Sequence, residues 1–503
     1  HRWVSGLGSG CARAWFKTME TNIIMQTDTR SSPPDGGNAL SSALKTRHLT
    51  MMSIAGVIGA ALFVGSGSVI AQAGPASVLA YLAGGVLVIL IMRMLGEMAT
   101  SSPDTGSFST YAEKAIGRWA GFTIGWLYWW FWTLLMAWEA YVAGLILHDW
   151  FPAISVNQFT AIMTGLLILV NFLQVRNYGE FEFWFALIKV IAITAFIALG
   201  TLAVLKLWPL GEARGWSALT AHGGFMPNGI GSLAVALLGV MFAFLGAEIV
   251  TIAASEAQNP AEQIVRATNS VVWRICLFYI GSIFLIVCLV PWNDPHLGQS
   301  GYGSYRRTLE LLGVPGAKWL MSFVVLTSVS SCFISAHYTC SRMLYSLSRR
   351  GDAPAILQRT RANGTPVYAV LLSCVMAVAV AVLNFFESMR PRDILDLLMN
   401  STGMIAMLVY LVVACSQLKM RRKLESEGRE IRLKMWLFPW LTYLVIVFIV
   451  VSLVVMLFVD QYRPLVLSTG FAALVIVCAG IWVQLSATRK SRADSLPTLV
   501  PQV

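Results

Sequence analysis

Phe242-Ala243-Phe244-Leu245-Gly246-Ala247-Glu248 is the stretch on which the fold turns. It lies deep in a long apolar segment, where a glycine followed by a carboxylate suits a plain lipid-facing helix poorly. An ionisable side chain within a bilayer is costly and marks a functional position by default. A second irregular stretch sits in the first apolar segment: Ser53-Ile54-Ala55-Gly56-Val57-Ile58-Gly59-Ala60, followed by Gly65 and Gly67. Gly56 and Gly59 permit two readings. They allow close helix packing, or they interrupt a helix so that freed backbone N–H groups face a cavity and attract a carboxylate.

The rest of the chain sets these two stretches in a membrane. Of 503 residues, 57% are hydrophobic and 12% charged, against about 45–50% and about 25% in soluble domains. The mean hydropathy is +0.68. A soluble globule could not hide so much apolar surface, and disordered chains are poor in it. Twelve apolar segments fall near 48–71, 76–98, 118–147, 157–175, 183–206, 230–254, 268–291, 317–345, 366–386, 394–418, 435–459 and 463–486. These continuous runs exclude barrel strands, which would alternate apolar and polar residues, and match the ~20 residues a membrane helix needs. The first and sixth segments open two sets of five. Interruptions at corresponding places point to an inverted-repeat transporter with its site at the midplane. The expected fold is therefore an all-α membrane protein of twelve transmembrane helices, a 5+5 inverted repeat with discontinuous helices 1 and 6, and spans 11 and 12 outside the repeat.

The formal net charge is +11. Basic residues collect on the cytoplasmic side of a bilayer, so their distribution matters more than their sum. With the N-terminus inside, 28 of the 36 lysines and arginines fall in or beside inside segments and 8 outside. Both termini are therefore expected in the cytoplasm, and nucleic acid is not an expected partner. The basic stretch Lys419–Lys434 reads as an orientation anchor or, more sharply, as a contact for anionic lipid. Residues 1–43 are expected to form a polar, disordered tail, marked by Pro33, Pro34, Gly36 and Gly37. Residues 1–18 are expected not to be native, with Met19 or Met25 as sensible starts. The transmembrane domain is expected over 44–490 and a polar tail over 491–503.

Further charges are embedded in the apolar segments. Glu139 lies in the third and Lys189 in the fifth. They either pair structurally or bind and release a proton during a transport cycle. Arg93 and Glu97 close the second segment, where snorkelling explains them. Aromatic residues crowd the third segment (Trp126, Tyr128, Trp129, Trp130, Phe131, Trp132, Trp138), mostly as interfacial anchors. Phe242 and Phe244 flank the presumed break and either cover a cationic amine or merely pack. Seven of the eight cysteines lie in apolar runs without metal spacing, and the six histidines are scattered. No cofactor or metal is expected, and no enzyme motif stands up. Secondary transport is the natural reading.

Several blocks give the chain a family resemblance over about 40–490. They are Leu44-Lys45-Thr46-Arg47-His48, Pro103-Asp104-Thr105-Gly106-Ser107-Phe108, Ile124-Gly125-Trp126-Leu127-Tyr128-Trp129-Trp130, Gly179-Glu180-Phe181-Glu182-Phe183-Trp184, Gly246-Ala247-Glu248-Ile249-Val250 and Ser341-Arg342-Met343-Leu344-Tyr345-Ser346-Leu347. With these the chain resembles the amino-acid transporter family of the amino acid–polyamine–organocation superfamily. The resemblance implies a leucine-transporter-like fold and proton-coupled uptake (symport) of an amino acid across the bacterial inner membrane. It points to 4-aminobutyrate as substrate, with proline, another neutral or an aromatic amino acid as the alternative. A sensor without net transport is the alternative of a different class.

Carried over residue by residue, the resemblance has the backbone of Ala55, Gly56, Val57, Ile58 and Gly59 hold the substrate carboxylate. Phe242, Phe244 and Gly246 would line the amine side. Lys189 and Glu248 are the expected proton-coupling groups, and Glu139 joins the substrate site. Ser330 opens a substrate-sensitive stretch running to Tyr345. His337 and Cys340 depart from the family pattern there and bear on fine substrate preference. The partners implied are a small amino acid, protons and the lipid bilayer.

Overall fold

The computed structural model describes residues 58–104, 107–171, 175–213, 215–249, 251, 259–361, 365–386, 391–460 and 462–494. Ala55, Gly56 and Val57, the tail 1–43 and residues 495–503 lie outside them. Among the described residues the chain is helical throughout, without strands. Eight helices are long and apolar enough to cross a membrane by length and composition, and Val156–Val170 and Gly231–Ala243 are shorter apolar helices.

The helices follow the apolar segments in order. The described part of the first span starts at the non-helical Ile58–Gly59, passes through a widened turn at Ala61–Gly65 and continues as Ser66–Ala73. Such π turns are rare and cluster at functional sites. Pro75 ends the run in a tight turn at Gly74–Ala76, and the second span is Ser77–Ser101. A short helix, Ser107–Ala115, leads to the third span, Arg118–Trp150. Val156–Asn171 and Val175–Val204 complete the first five. The sixth span begins as Gly231–Ala243 and breaks into a turn over residues 244–248. Gly246 sits at φ +98° in that turn, a conformation open to glycine and strained for any side chain. The seventh span is Pro260–Leu289 with a π segment at Ile275–Gly281. The eighth is Ala317–Arg349, the ninth Val367–Phe386 and the tenth Pro391–Ser426. Trp440–Leu457 and Arg463–Asp494 close the chain.

The third span is the hub. It packs against the fourth, eighth, tenth and twelfth, and the first packs against the sixth. In its most apolar window 78% of the third span is buried, against 17% for the twelfth, so the last helix is peripheral. The exposed residues of the outer helices are large and apolar (Trp273, Trp440, Phe458, Phe471, Trp482). This pattern suits hydrocarbon, and helices that satisfy their own backbone suit it too.

Glu97 departs from the snorkelling reading. It is 1% exposed and takes an ion pair from Arg421 at 2.9 Å, with Gln417 Nε2 donating at 3.0 Å and the backbone N–H of Met435 at 2.5 Å. The cationic partner lies more than 300 residues away, so hydropathy alone could not place it. Arg93 does reach outward, stacking on Trp436 at 4.7 Å.

Candidate functional site

Two irregular backbones meet at the centre of the molecule. Between them lies a small cavity of about 20 Å³, lined by Gly59, Ala61, Trp132, Leu135, Glu139, Phe242, Ala243, Leu245, Ile249, Cys332 and Ser335. That is room for about one water molecule. The lining comes from the first, third, sixth and eighth spans, so the cavity lies where the two halves of the repeat face each other.

The geometry around Gly59 is close. A Cβ on Gly59 would stand 2.9 Å from Cys332 Sγ and 3.5 Å from Glu139 Oε1. The missing side chain therefore lets the carboxylate of the third span approach the backbone of the first. The carbonyl of Gly59 accepts from Leu62 N and Phe63 N, which starts the outer half of the first span. The opening N–H groups of a helix have no intrahelical acceptor, and they carry the positive end of its dipole. Glu139 is 1% exposed and is hydrogen-bonded by the Cys332 thiol. Among the described residues its Oε2 has no hydrogen-bond partner, nor has Trp132 Nε1 or Trp138 Nε1. A buried acceptor and buried donors without partners are costly. Of these atoms, Glu139 Oε2 stands at the cavity as an acceptor that the ammonium of a zwitterion would satisfy.

The cavity is closed on both sides. On one side, Trp138 and Phe242 meet edge to face at 4.9 Å. Beyond them a second cavity of about 20 Å³ is lined by Gly65, Ser68, Trp138, the loop from Leu297 to Gly301, Asp396 and Met399. That loop is fastened to the first span where Ser66 Oγ and Ser304 Oγ share a hydrogen bond of 2.7 Å. On the other side, the short helix Ser107–Ala115 is bound to the end of the eighth span by Arg350–Glu113 at 2.9 Å and Arg350 Nη2 to Ser109 Oγ at 2.5 Å. Arg118–Asp352 at 2.8 Å adds to that closure.

The expected residues divide by position. Gly59, Glu139 and Phe242 come together at the cavity. Ile58 lies beside it, its carbonyl accepting from Ser328 Oγ at 3.3 Å. Phe244 packs away from the cavity, between Tyr81 and Tyr279. Gly246 shapes the turn, and Glu248 behind it accepts from Tyr128 OH at 3.2 Å. Ser330 spends its hydroxyl on the carbonyl of Leu326. Lys189 is wholly buried and donates to Ser331 Oγ at 2.9 Å, close enough to Glu139 for the two charges to interact. His337 and Cys340 face other neighbours, Val370 O and Trp129 O, and neither lines the cavity. Cys332, Ser335 and Trp132 were not singled out from sequence as cavity groups. Their signal is positional, because residues three and four apart share one helix face, as Cys332 and Ser335 do.

A membrane-embedded cavity at the broken sixth helix and the non-helical Ile58–Gly59, within a scaffold of long helices, defines the class of multi-pass secondary transporters. Within that class the chain belongs to the amino acid permease family, whose model matches residues 48–494. It is 57% identical over 449 residues to the gamma-aminobutyric acid permease of Escherichia coli strain K12, covering 89% of this chain and 95% of that one. It is 54% identical over 464 residues to a probable GABA permease of Pseudomonas aeruginosa (92% and 96% covered). The gamma-aminobutyric acid permease of Bacillus subtilis strain 168 is 47% identical over 468 residues (93% and 98% covered). Among solved structures, a variant of the Eremococcus coleocola manganese transporter superposes with a TM-score of 0.57 at 15% identity, covering 92% of this chain and 98% of that one. That likeness is one of fold.

Proposed function

We propose that the protein is a proton-coupled symporter that imports 4-aminobutyrate across the bacterial inner membrane, with both termini in the cytoplasm. The names of its close relatives support the substrate. The excess of basic residues on one side supports the orientation. One observation carries the chemistry: the Glu139 carboxylate lies against Gly59 beside the cavity and, among the described residues, keeps an unpartnered oxygen.

The amine of 4-aminobutyrate lies three carbons beyond its carboxylate, so its two charged ends stand ~5–6 Å apart when extended. A site for it needs an anion and a hydrogen-bond-donating backbone at that separation. Glu139 supplies the anion. The unwound start of the outer half of the first span, with Ala55, Gly56, Val57 and Ile58 leading into it, supplies the donors for the carboxylate. Phe242 offers a ring face to the ammonium. Lys189 and Glu248 are the proposed proton-coupling groups, both buried at the edge of this machinery. A cavity of about 20 Å³ must widen before substrate enters, and alternate opening of the outer and inner closures provides that.

The experiment is uptake of labelled 4-aminobutyrate in a transport-deficient host, competed with a panel of amino acids. Uptake should saturate, collapse with a protonophore and be blocked first by unlabelled 4-aminobutyrate. Glu139→Gln should weaken apparent affinity about tenfold or more, as for losing a charge-assisted hydrogen bond of about 1.5–3 kcal/mol. Stronger block by proline or an aromatic amino acid would overturn the substrate. Binding without uptake would make the protein a sensor.

A further inference from the structure

The fifth span carries two buried ionisable groups, and only one is used above. Lys189 Nζ donates to Ser331 Oγ at 2.9 Å, and Ser331 Oγ in turn donates to the Glu182 carboxylate at 2.9 and 2.8 Å. All three residues are buried: Lys189 and Ser331 at 0% exposure, Glu182 at 1%. The donors line up in one direction, from ammonium through hydroxyl to carboxylate. Seven residues separate Glu182 from Lys189, a rise of about 10 Å. In the proposed topology the fifth span enters from the cytoplasm, so Glu182 lies on the cytoplasmic side of Lys189.

We propose that Glu182 is a second proton-binding site of the transport cycle, reached from Lys189 through the hydroxyl of Ser331. This rests on the proton-coupled reading above and deepens it. The transfer balances without any outside reagent. Ser331 passes its hydroxyl proton to a Glu182 carboxylate oxygen and takes one from the Lys189 ammonium. Lys189 becomes a neutral amine, Glu182 a neutral acid, and Ser331 is restored. Glu182 then gives its proton to cytoplasmic water when the inner closure opens.

A serine suits the middle position because its hydroxyl donates and accepts at once. A buried carboxylate is costly unless paired and hydrogen-bonded, and a lipid-facing helix has no use for one here. The titratable groups facing this row from the packed helices are Glu139 of the third span and Cys332 of the eighth. Cys332 lies within electrostatic reach of Glu139, Lys189 and Glu182 alike. The row lies beside the central cavity without lining it: Cys332 lines that cavity, and its neighbour Ser331 turns toward the fifth span.

The test uses the full-length protein in liposomes with a pH-sensitive dye inside. Two readouts are taken: accumulation driven by an imposed pH gradient, and counterflow exchange of labelled 4-aminobutyrate, which needs no net proton movement. Glu182→Gln and Ser331→Ala should each lose gradient-driven accumulation and substrate-linked acidification by about tenfold or more, within the range typical of lost proton transfer. Counterflow should stay within about threefold of wild type, as expected when binding is spared. Ser331→Thr keeps the hydroxyl and should restore accumulation. Wild-type accumulation in Glu182→Gln would overturn the relay while leaving proton coupling intact. Loss of counterflow together with accumulation in both variants, with no rescue by threonine, would overturn it in favour of a packing role. A wild-type protein indifferent to the pH gradient would overturn the coupling itself, and the relay with it.

Discussion

Trp138 and Phe242 stand edge to face, 4.9 Å between ring centres, and divide the central cavity from the second one. Trp138 lines only the second cavity and Phe242 only the central one. The ring pair thus separates the two cavities, and Phe242 belongs to the one proposed to hold substrate. Removing the Phe242 ring should join the two spaces and remove the aromatic face offered to the ammonium. Phe242→Ala should raise the half-saturation concentration about tenfold, in line with ~0.5–2 kcal/mol for a desolvated cation–π contact. Phe242→Tyr keeps the ring and should stay near wild type. Equal losses in both variants would show that the ring face is not what matters.

Gly59 is where a single carbon should be felt. An added Cβ would meet Cys332 Sγ at 2.9 Å. Overpacking a filled site costs about 1–3 kcal/mol. Gly59→Ala should therefore weaken 4-aminobutyrate uptake about tenfold or more, read as half-saturation concentration. Gly59→Ala combined with Cys332→Ala should recover most of the loss, because the clash partner is gone. Simple additivity of the two changes would refute the steric reading.

Glu97 and Arg421 fasten the second span to the tenth. Removing one partner of a buried pair costs about 3–5 kcal/mol, since the other is left uncompensated. Arg421→Met should lower the thermal unfolding temperature of the detergent-solubilised protein markedly. Glu97→Gln keeps one acceptor oxygen and should lower it less. An Arg421→Met protein as stable as wild type would show that the pair is dispensable.

Asp294 ties down the loop between the seventh and eighth spans. Burial alone would raise its pKa, but the backbone N–H of His296 and the Arg307 guanidinium, 2.7 Å away, outweigh burial and hold the carboxyl below its ordinary range. A folded pKa lowered in this way stabilises the loop above the unfolded value of about 3.9, and the gain is lost as pH falls through the folded value. Hydrogen exchange over residues 294–311 should then be protected from about pH 7 to about pH 5 and loosen only below about pH 4. Asp294→Asn should reduce protection at neutral pH and flatten its acid dependence. Loosening of the wild-type loop already near pH 6 would reject this account.

Local chemistry carried much of the design into view. Twelve apolar runs, a glycine before a buried carboxylate at Gly246–Glu248, and the glycine spacing at Gly56 and Gly59 pointed to a membrane protein with paired interruptions. Each of these is a property of neighbouring residues. The turn after Ala243 follows from the glycine and carboxylate there, whereas Gly56 lies outside the described residues. Phe242 and Phe244 were indistinguishable by the same reasoning. They lie two residues apart at a break, where helical periodicity no longer says which side faces inward, and only Phe242 faces the cavity. Ser330 and Ser331 show the same limit: one bonds its own helix, and its neighbour bridges Lys189 and Glu182.

The sequence by itself determined that the chain crosses a membrane repeatedly, how its basic residues are distributed among its loops, and where the sixth span loses its helical continuity. These depend on hydropathy, charge and backbone freedom, which adjacent residues settle among themselves. Only the tertiary structure decided which partners meet: Glu139 with Gly59 and Cys332, Arg421 with Glu97, Ser331 between Lys189 and Glu182. Those meetings join helices tens to hundreds of residues apart. They are fixed by how the helices rotate and pack, because a buried charge is tolerable only where that packing brings it a partner.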